Sequence, residues 1–220
     1  MKKQLSVLLC ACLLLCLGAV AASAAETAPP EAIYILAAPP PKRAIKFMGQ
    51  MIENPGPEIM DQATDPTSVA SFGHPFAVNR WGRYFPVLLE GRIVWTYYQY
   101  RSEWWQWDYS YMTSPGMLVE ELNNLAGETT ADAPALIYQD ENNDLVFQTQ
   151  YSTQTIWQGR PRDRVVPVPR IYADELAAQR AADPKKASVN MLEPIEIPPW
   201  TFFERVINAV YHFLFIGLWR

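Results

Sequence analysis

Cysteine is nearly absent, and its placement excludes most cysteine chemistry. Cys10, Cys12 and Cys16 are the only three in 220 residues. They lie in a segment with the pattern of a secretory signal peptide. Lys2 and Lys3 open it, Leu5 to Val20 is almost wholly apolar, and Ala22-Ser23-Ala24 supplies a small-residue cleavage site. Cys12 follows too short an apolar run for a lipidated cysteine, and Cys16 follows three leucines. Cleavage after Ala24 leaves no thiol, so neither a disulfide nor thiolate catalysis is expected of the mature chain.

Histidine is equally scarce, with only His74 and His212 present. A histidine-based zinc site or a Ser-His-Asp triad would have to use one of them. His74 stands in the turn-like Gly73-His74-Pro75 and reads as a loop residue, and His212 stands in an apolar C-terminal run. No P-loop, G-x-S-x-G, S-x-x-K or H-E-x-x-H pattern occurs. Asp140, Asn142 and Asp144 match the start of a calcium loop. However, Leu145 replaces the loop glycine and Tyr151 the terminal glutamate, so a polar hairpin loop is expected there. Basic charge is short as well. Of 18 basic residues, Lys2 and Lys3 leave with the signal segment, so 16 stand against 23 acidic ones and the net charge falls from −5 to −7. That balance disfavours nucleic acid as a partner. No cofactor or metal ligand set is expected.

Aromatic residues are plentiful and concentrated between Arg83 and Met112. Glu90-Gly91 divides two β-rich runs, Tyr84 to Leu89 and Arg92 to Arg101, as a two-residue hairpin turn would. The register then pairs Leu89 with Arg92, Val87 with Val94 and Phe85 with Thr96. A second turn at Ser102-Glu103 pairs Tyr100 with Trp105, Tyr98 with Trp107, Thr96 with Tyr109 and Val94 with Tyr111. Alternation puts Phe85, Val87, Val94, Tyr98, Tyr100, Trp105, Trp107, Tyr109 and Tyr111 on a core face. Trp104 beside the turn, then Trp95 and Tyr97 on the mixed face, are the candidate ligand-binding aromatics. Pro86 falls opposite Trp95 and blocks pairing on the outer side of its strand, which suggests a sheet edge.

The rest follows by composition. Residues 25–66 form a Pro-rich N-terminal segment, with an extended tether to Arg43 and a short helix over Ala44 to Glu53. Residues 67–159 form an α+β core. In it, Ser71 to Asn79 is an edge strand limited by Pro75. A helix runs from Ser114-Pro115 to Gly127 with Leu118, Leu122 and Leu125 inward. A hairpin joins Ala135–Gln139 to Leu145–Tyr151. Residues 160–199 read as a Pro-rich linking segment with a short helix over Ala173 to Ala182. Residues 200–220 form an apolar C-terminal helix whose Trp200, Phe203, Ile207, Val210, Leu214 and Trp219 are the expected membrane or partner contacts. The expected fold is therefore a small antiparallel sheet, meander plus hairpin, with one packed helix.

Phe72-Gly73-His74-Pro75-Phe76, Phe85 to Val94, the helix from Ser114 to Asn123 and the tail opening Phe202-Phe203-Glu204-Arg205 together resemble small secreted proteins of Gram-positive bacteria. No functional family attaches to that resemblance, and it implies no catalytic residue. The expected function is a secreted, envelope-associated, non-catalytic binding protein. Its partner would be a protein or glycan of the envelope, with membrane-surface contact through the C-terminal helix. A protease inhibitor or folding helper is the alternative, and a carboxylate-based cell-wall hydrolase comes last.

Overall fold

A computed structural model describes residues 32–79, 82–101, 109–113, 116–159 and 171–211. The signal segment, Trp104, Trp105, Trp107, Ser114, Pro115, His212, Leu214 and Trp219 lie outside them. The fold is α+β, with antiparallel sheets and several helices. The elements are β1 (Tyr34–Ala37), α1 (Lys42–Glu53), α2 (Pro57–Met60), β2 (Ser71–Phe72), β3 (Phe76–Ala77), β4 (Gly82–Leu89), β5 (Arg92–Tyr100) and β6 (Ser110–Thr113). There follow α3 (Gly116–Asn124), β7 (Leu136–Gln139), β8 (Leu145–Gln148), β9 (Thr153–Trp157), α4 (Tyr172–Ala182), β10 (Ala187–Asn190) and α5 (Phe202–Tyr211).

The first turn forms where expected. Glu90 and Gly91 have φ of 53° and 78°, the paired positive values of a type I′ hairpin, and Leu89 faces Arg92. Two steps later the register departs from expectation. A β-bulge sets Leu88 opposite Ile93 but Val87 opposite Trp95, and Phe85 then faces Tyr97 and Tyr84 faces Tyr98. One extra residue, Val94, inverts the alternation beyond it. Tyr98 consequently lies with Tyr84 rather than with Phe85.

Ser102-Glu103, the expected second turn, lies outside the described residues, and the β5–β6 register differs from the one that turn implies. Tyr100 pairs with Ser110, Tyr98 with Met112, Gln99 with Tyr111 and Tyr97 with Thr113, so Trp105 and Trp107 are not the strand partners of Tyr100 and Tyr98. Pro86 faces Thr96 and does not mark an edge strand. β4 is covered on its outer side by β2 and β3, and Pro86 falls where those two strands part. Gly73, His74 and Pro75 bridge that break, and the Gly73 N–H donates to the Pro86 carbonyl at 2.9 Å. A proline with no N–H to offer fits where the neighbouring strand is interrupted.

Both faces of this sheet are buried. Phe72, Phe85, Val87, Leu89, Val94 and Tyr97 pack with Met48 of α1 and Ile59 of α2. Phe72 and Phe85 meet edge-to-face, 5.5 Å between centroids, a geometry that adds about 0.5–1.5 kcal/mol to area burial. Phe76, Tyr84, Leu88 and Ile93 pack with Leu118, Leu122 and Leu125 of the α3 region and with Leu145, Phe147 and Ile156 of the β7-β8-β9 sheet. Helices therefore cover both faces, where one packed helix was expected.

The Pro-rich flanks also contribute to the core. Ile33, Ile35 and Met191 are at most 1% exposed, and β1 pairs with β10 in a two-stranded ribbon. The segments read as a tether and a linker thus meet as a ribbon, with Ile33, Ile35 and Met191 supplying its buried contacts.

Candidate functional site

Among the described residues, three regions carry the features from which a site could be built. The first is an aromatic cleft of about 390 Å³ between the two larger sheets, lined by Val78, Tyr84, Tyr98, Met112, Thr113, Gln139, Leu145 and Trp157. The bulge creates it by turning Tyr98 toward Tyr84, with centroids 4.9 Å apart. Tyr98 in turn stacks on Tyr100 at 5.9 Å. Burial pushes the Tyr84 hydroxyl up to about 12, with the neighbouring Tyr98 adding to it, so it stays a neutral phenol. Gln139, which accepts from the Asn79 amide at 3.3 Å, and Thr113 add polar groups to the lining.

The second region is a cavity of about 570 Å³ beside the β1–β10 ribbon. Ala37, Pro39, Pro40, Ile45, Pro75, Val189 and Ile195 give apolar walls, with Lys42, His74, Lys185 and Glu196 among the lining residues. His74 is half-buried, and desolvation lowers its pKa against a weaker pull from Glu193, so its imidazole is neutral at pH 7.

The third is the seat of α5. Lys46 of α1 is 6% exposed, and a buried ammonium requires a partner. Glu204 supplies it, with Oε2 2.5 Å from Nζ, and the Trp200 ring centroid lies 5.9 Å from the same Nζ. Glu204 also completes a capping box. It accepts from the Thr201 N–H and hydroxyl at 2.8 Å each, while its own N–H donates to Thr201 Oγ1 at 3.3 Å. The Lys46 contact, then the Thr201 bonds, hold the Glu204 carboxyl down to about 2.

The amphipathic arrangement of α5 is the reverse of a docked surface helix. Glu204, Arg205 and Ala209 lie on the side of α1, the last two around a hollow of about 440 Å³ with Gln50, Glu53 and Trp200. Phe202, Phe203, Val206, Ile207 and Val210 face solvent, with Phe203 73% exposed.

Among the aromatics expected to bind ligand, Tyr97 is buried, its ring against Phe72 and Tyr111. Trp95 is half-buried against the same core. Trp104 lies outside the described residues. Among the expected tail contacts, Phe203, Ile207 and Val210 share the outward face and Trp200 is half-buried at Lys46. His74, Tyr84, Tyr98, Trp157 and Lys46 were not among the expected site residues. The spacing Thr201-x-x-Glu204 is the sequence signal from which the seat of α5 could have been found.

Among the described residues, no group of three or more His, Cys, Asp or Glu could hold a metal, and no helix is long and apolar enough to cross a membrane. No protein-family model matches the chain, and no curated protein matches it in sequence.

Proposed function

We propose that the protein is a secreted, envelope-associated, non-catalytic binding protein, held at a membrane surface by α5. The observation that carries this reading is the direction of α5, whose polar side is pinned to α1 while five large apolar side chains point outward. A contiguous apolar patch of that kind marks an interaction surface. Lying in the interface buries the outward face and leaves Glu204 and Arg205 on the protein side. The signal-peptide pattern supports reading the mature chain as lying on the outer side of the membrane.

A carboxylate hydrolase gains no support. A glycosidase needs two carboxyl groups roughly 5 to 9.5 Å apart across a cleft. The aromatic cleft is lined by none, and the larger cavity by Glu196 alone.

The test is flotation of the mature chain with phosphatidylglycerol–phosphatidylcholine vesicles, beside a Phe203→Glu, Ile207→Glu, Val210→Glu variant. These side chains are exposed, so the variant should fold normally. The mature chain should float, be released by alkaline carbonate, and lose vesicle binding in the variant. Equal flotation of both proteins, or of neither, would overturn the assignment.

A further inference from the structure

We propose that the edge of β10, with the cavity beside it, is a docking site for an extended segment of a partner polypeptide, which adds to the ribbon as a third strand. This deepens the reading of the chain as a binding protein by naming a class of partner, and it does not depend on how the chain is held to a surface.

The register fixes which backbone groups are offered. Met191 N–H donates to the Ile33 carbonyl at 2.8 Å, so Ile33 and Met191 form a hydrogen-bonded pair. Antiparallel ladders alternate, so Ile35–Val189 and Ala37–Ala187 are bonded pairs, while Tyr34–Asn190 and Leu36–Ser188 direct their groups outward. On the β1 side those outward groups are used. Tyr34 N–H donates to Thr129 Oγ1 at 2.7 Å, Leu36 N–H donates to the Ala135 carbonyl at 2.9 Å, and Ala135 N–H donates to the Tyr34 carbonyl at 2.7 Å. On the β10 side, among the described residues, the Ser188 N–H and carbonyl meet no partner, and the buried Ser188 Oγ is also unsatisfied. A buried hydroxyl without a partner is uncommon in a folded protein, and the outward peptide group beside it is the open edge of the ribbon.

The residues flanking Ser188 supply the second half of the site. Ala187 and Val189 share the opposite ribbon face and line the 570 Å³ cavity, a volume suited to a side chain or two. An incoming strand bonded to Ser188 places alternate side chains over that cavity. The rim carries Lys42, Lys185 and Glu196, a mixed set that favours no strongly charged ligand. Neutral His74 offers one donor and one acceptor to an amide. Backbone pairing for affinity and a pocket for alternate side chains are the two components of β-augmentation. Within β10, Ala187-Ser188-Val189-Asn190 carries no proline and no charge, two of the devices that usually block an edge.

The experiment uses the full mature chain without lipid, so membrane attachment does not enter its outcome. A capped octapeptide of alternating threonine and valine is titrated in and followed through backbone amide shifts. The same peptide with every second amide N-methylated, in both phases, is the control, because it keeps the side chains and loses one row of donors. Shifts should concentrate at Ser188, Val189 and Asn190, and the N-methyl peptide of one phase should bind at least ten-fold more weakly. Ser188→Pro should weaken binding comparably. Its lost N–H points away from β1, so the ladder is spared. Ala187→Trp, at an exposed position, should block the cavity and leave the edge intact. No binding at millimolar peptide, equal binding of both N-methyl controls, or shifts centred on Tyr98 and Trp157 would overturn the proposal. So would a concentration-dependent dimer that buries Ser188, since the edge would then serve a second copy of this chain.

Discussion

At Glu90, backbone preference and side-chain chemistry oppose each other. A type I′ turn with φ of 53° favours Asn or Asp. Glutamate reaches further, and its carboxylate gathers the Thr64 N–H at 2.8 Å, the Thr64 hydroxyl at 2.5 Å, the Asp65 N–H at 2.8 Å and the Ser68 hydroxyl at 2.9 Å. One side chain thereby fastens the 64–68 loop to the hairpin. The Thr64 hydroxyl bond, then the Asp65 and Ser68 bonds, hold the carboxyl down to about 2. Its folded pKa is below the ordinary value of 4.5, so its stabilisation is complete above that value and is lost as pH falls toward 2. The Thr64 amide resonance should titrate with a midpoint near 2, and Glu90→Asn should abolish that titration while leaving the hairpin intact. A midpoint near 4.5 would mean that these bonds do not hold the loop.

Among the elements, the hairpin turn and the α3 stripe were legible in the sequence, and the bulge was not. Glu90-Gly91 could be read because both flanking runs are long and β-rich. The bulge escaped because Phe85, Val87 and Tyr97 face one apolar layer and Tyr84, Leu88 and Ile93 face another. With both faces buried, alternation of polar and apolar residues carries no information on register. Asn123, a polar residue of α3, completes β5 where β6 does not reach. Its amide donates to the Ile93 carbonyl at 2.7 Å, and its Oδ1 accepts the Ile93 N–H at 3.1 Å. This imitates a neighbouring strand for one residue and ties α3 to the sheet. Asn123→Ala leaves both Ile93 groups unpaired and should cost roughly 1 to 3 kcal/mol per buried group left unsatisfied. Chemical denaturation would measure it, and a loss below about 0.5 kcal/mol would show that water replaces the amide at little cost.

The whole molecule is closed by contacts that no local pattern reveals. Ile33 N–H reaches Asn190 Oδ1 at 3.2 Å across 157 positions of sequence, and the prolines on either side led both partners to read as linkers. Ile35→Ala should therefore cost about 2 to 5 kcal/mol, the range for truncating a fully buried aliphatic side chain; a linker residue would cost almost nothing. The same closure sets α5, because Lys46 is buried only where Glu204 can meet it. Glu204→Gln removes the charge but keeps the shape, leaving a buried ammonium without its counter-ion, and should lower Tm. Lys46→Met on its own removes the ammonium's need for a partner. The double variant should therefore melt above the Glu204→Gln single variant, since it leaves no buried ammonium without a counter-ion. Lys46 holds the Glu204 carboxyl near 2, so the seat should persist at neutral pH and fail as pH falls from 4.5 toward 2, with vesicle binding changing over the same interval. If the two substitutions are instead simply additive in Tm, the ion pair does not set the position of α5, and the outward direction of its apolar face must come from Trp200 and the capping box alone.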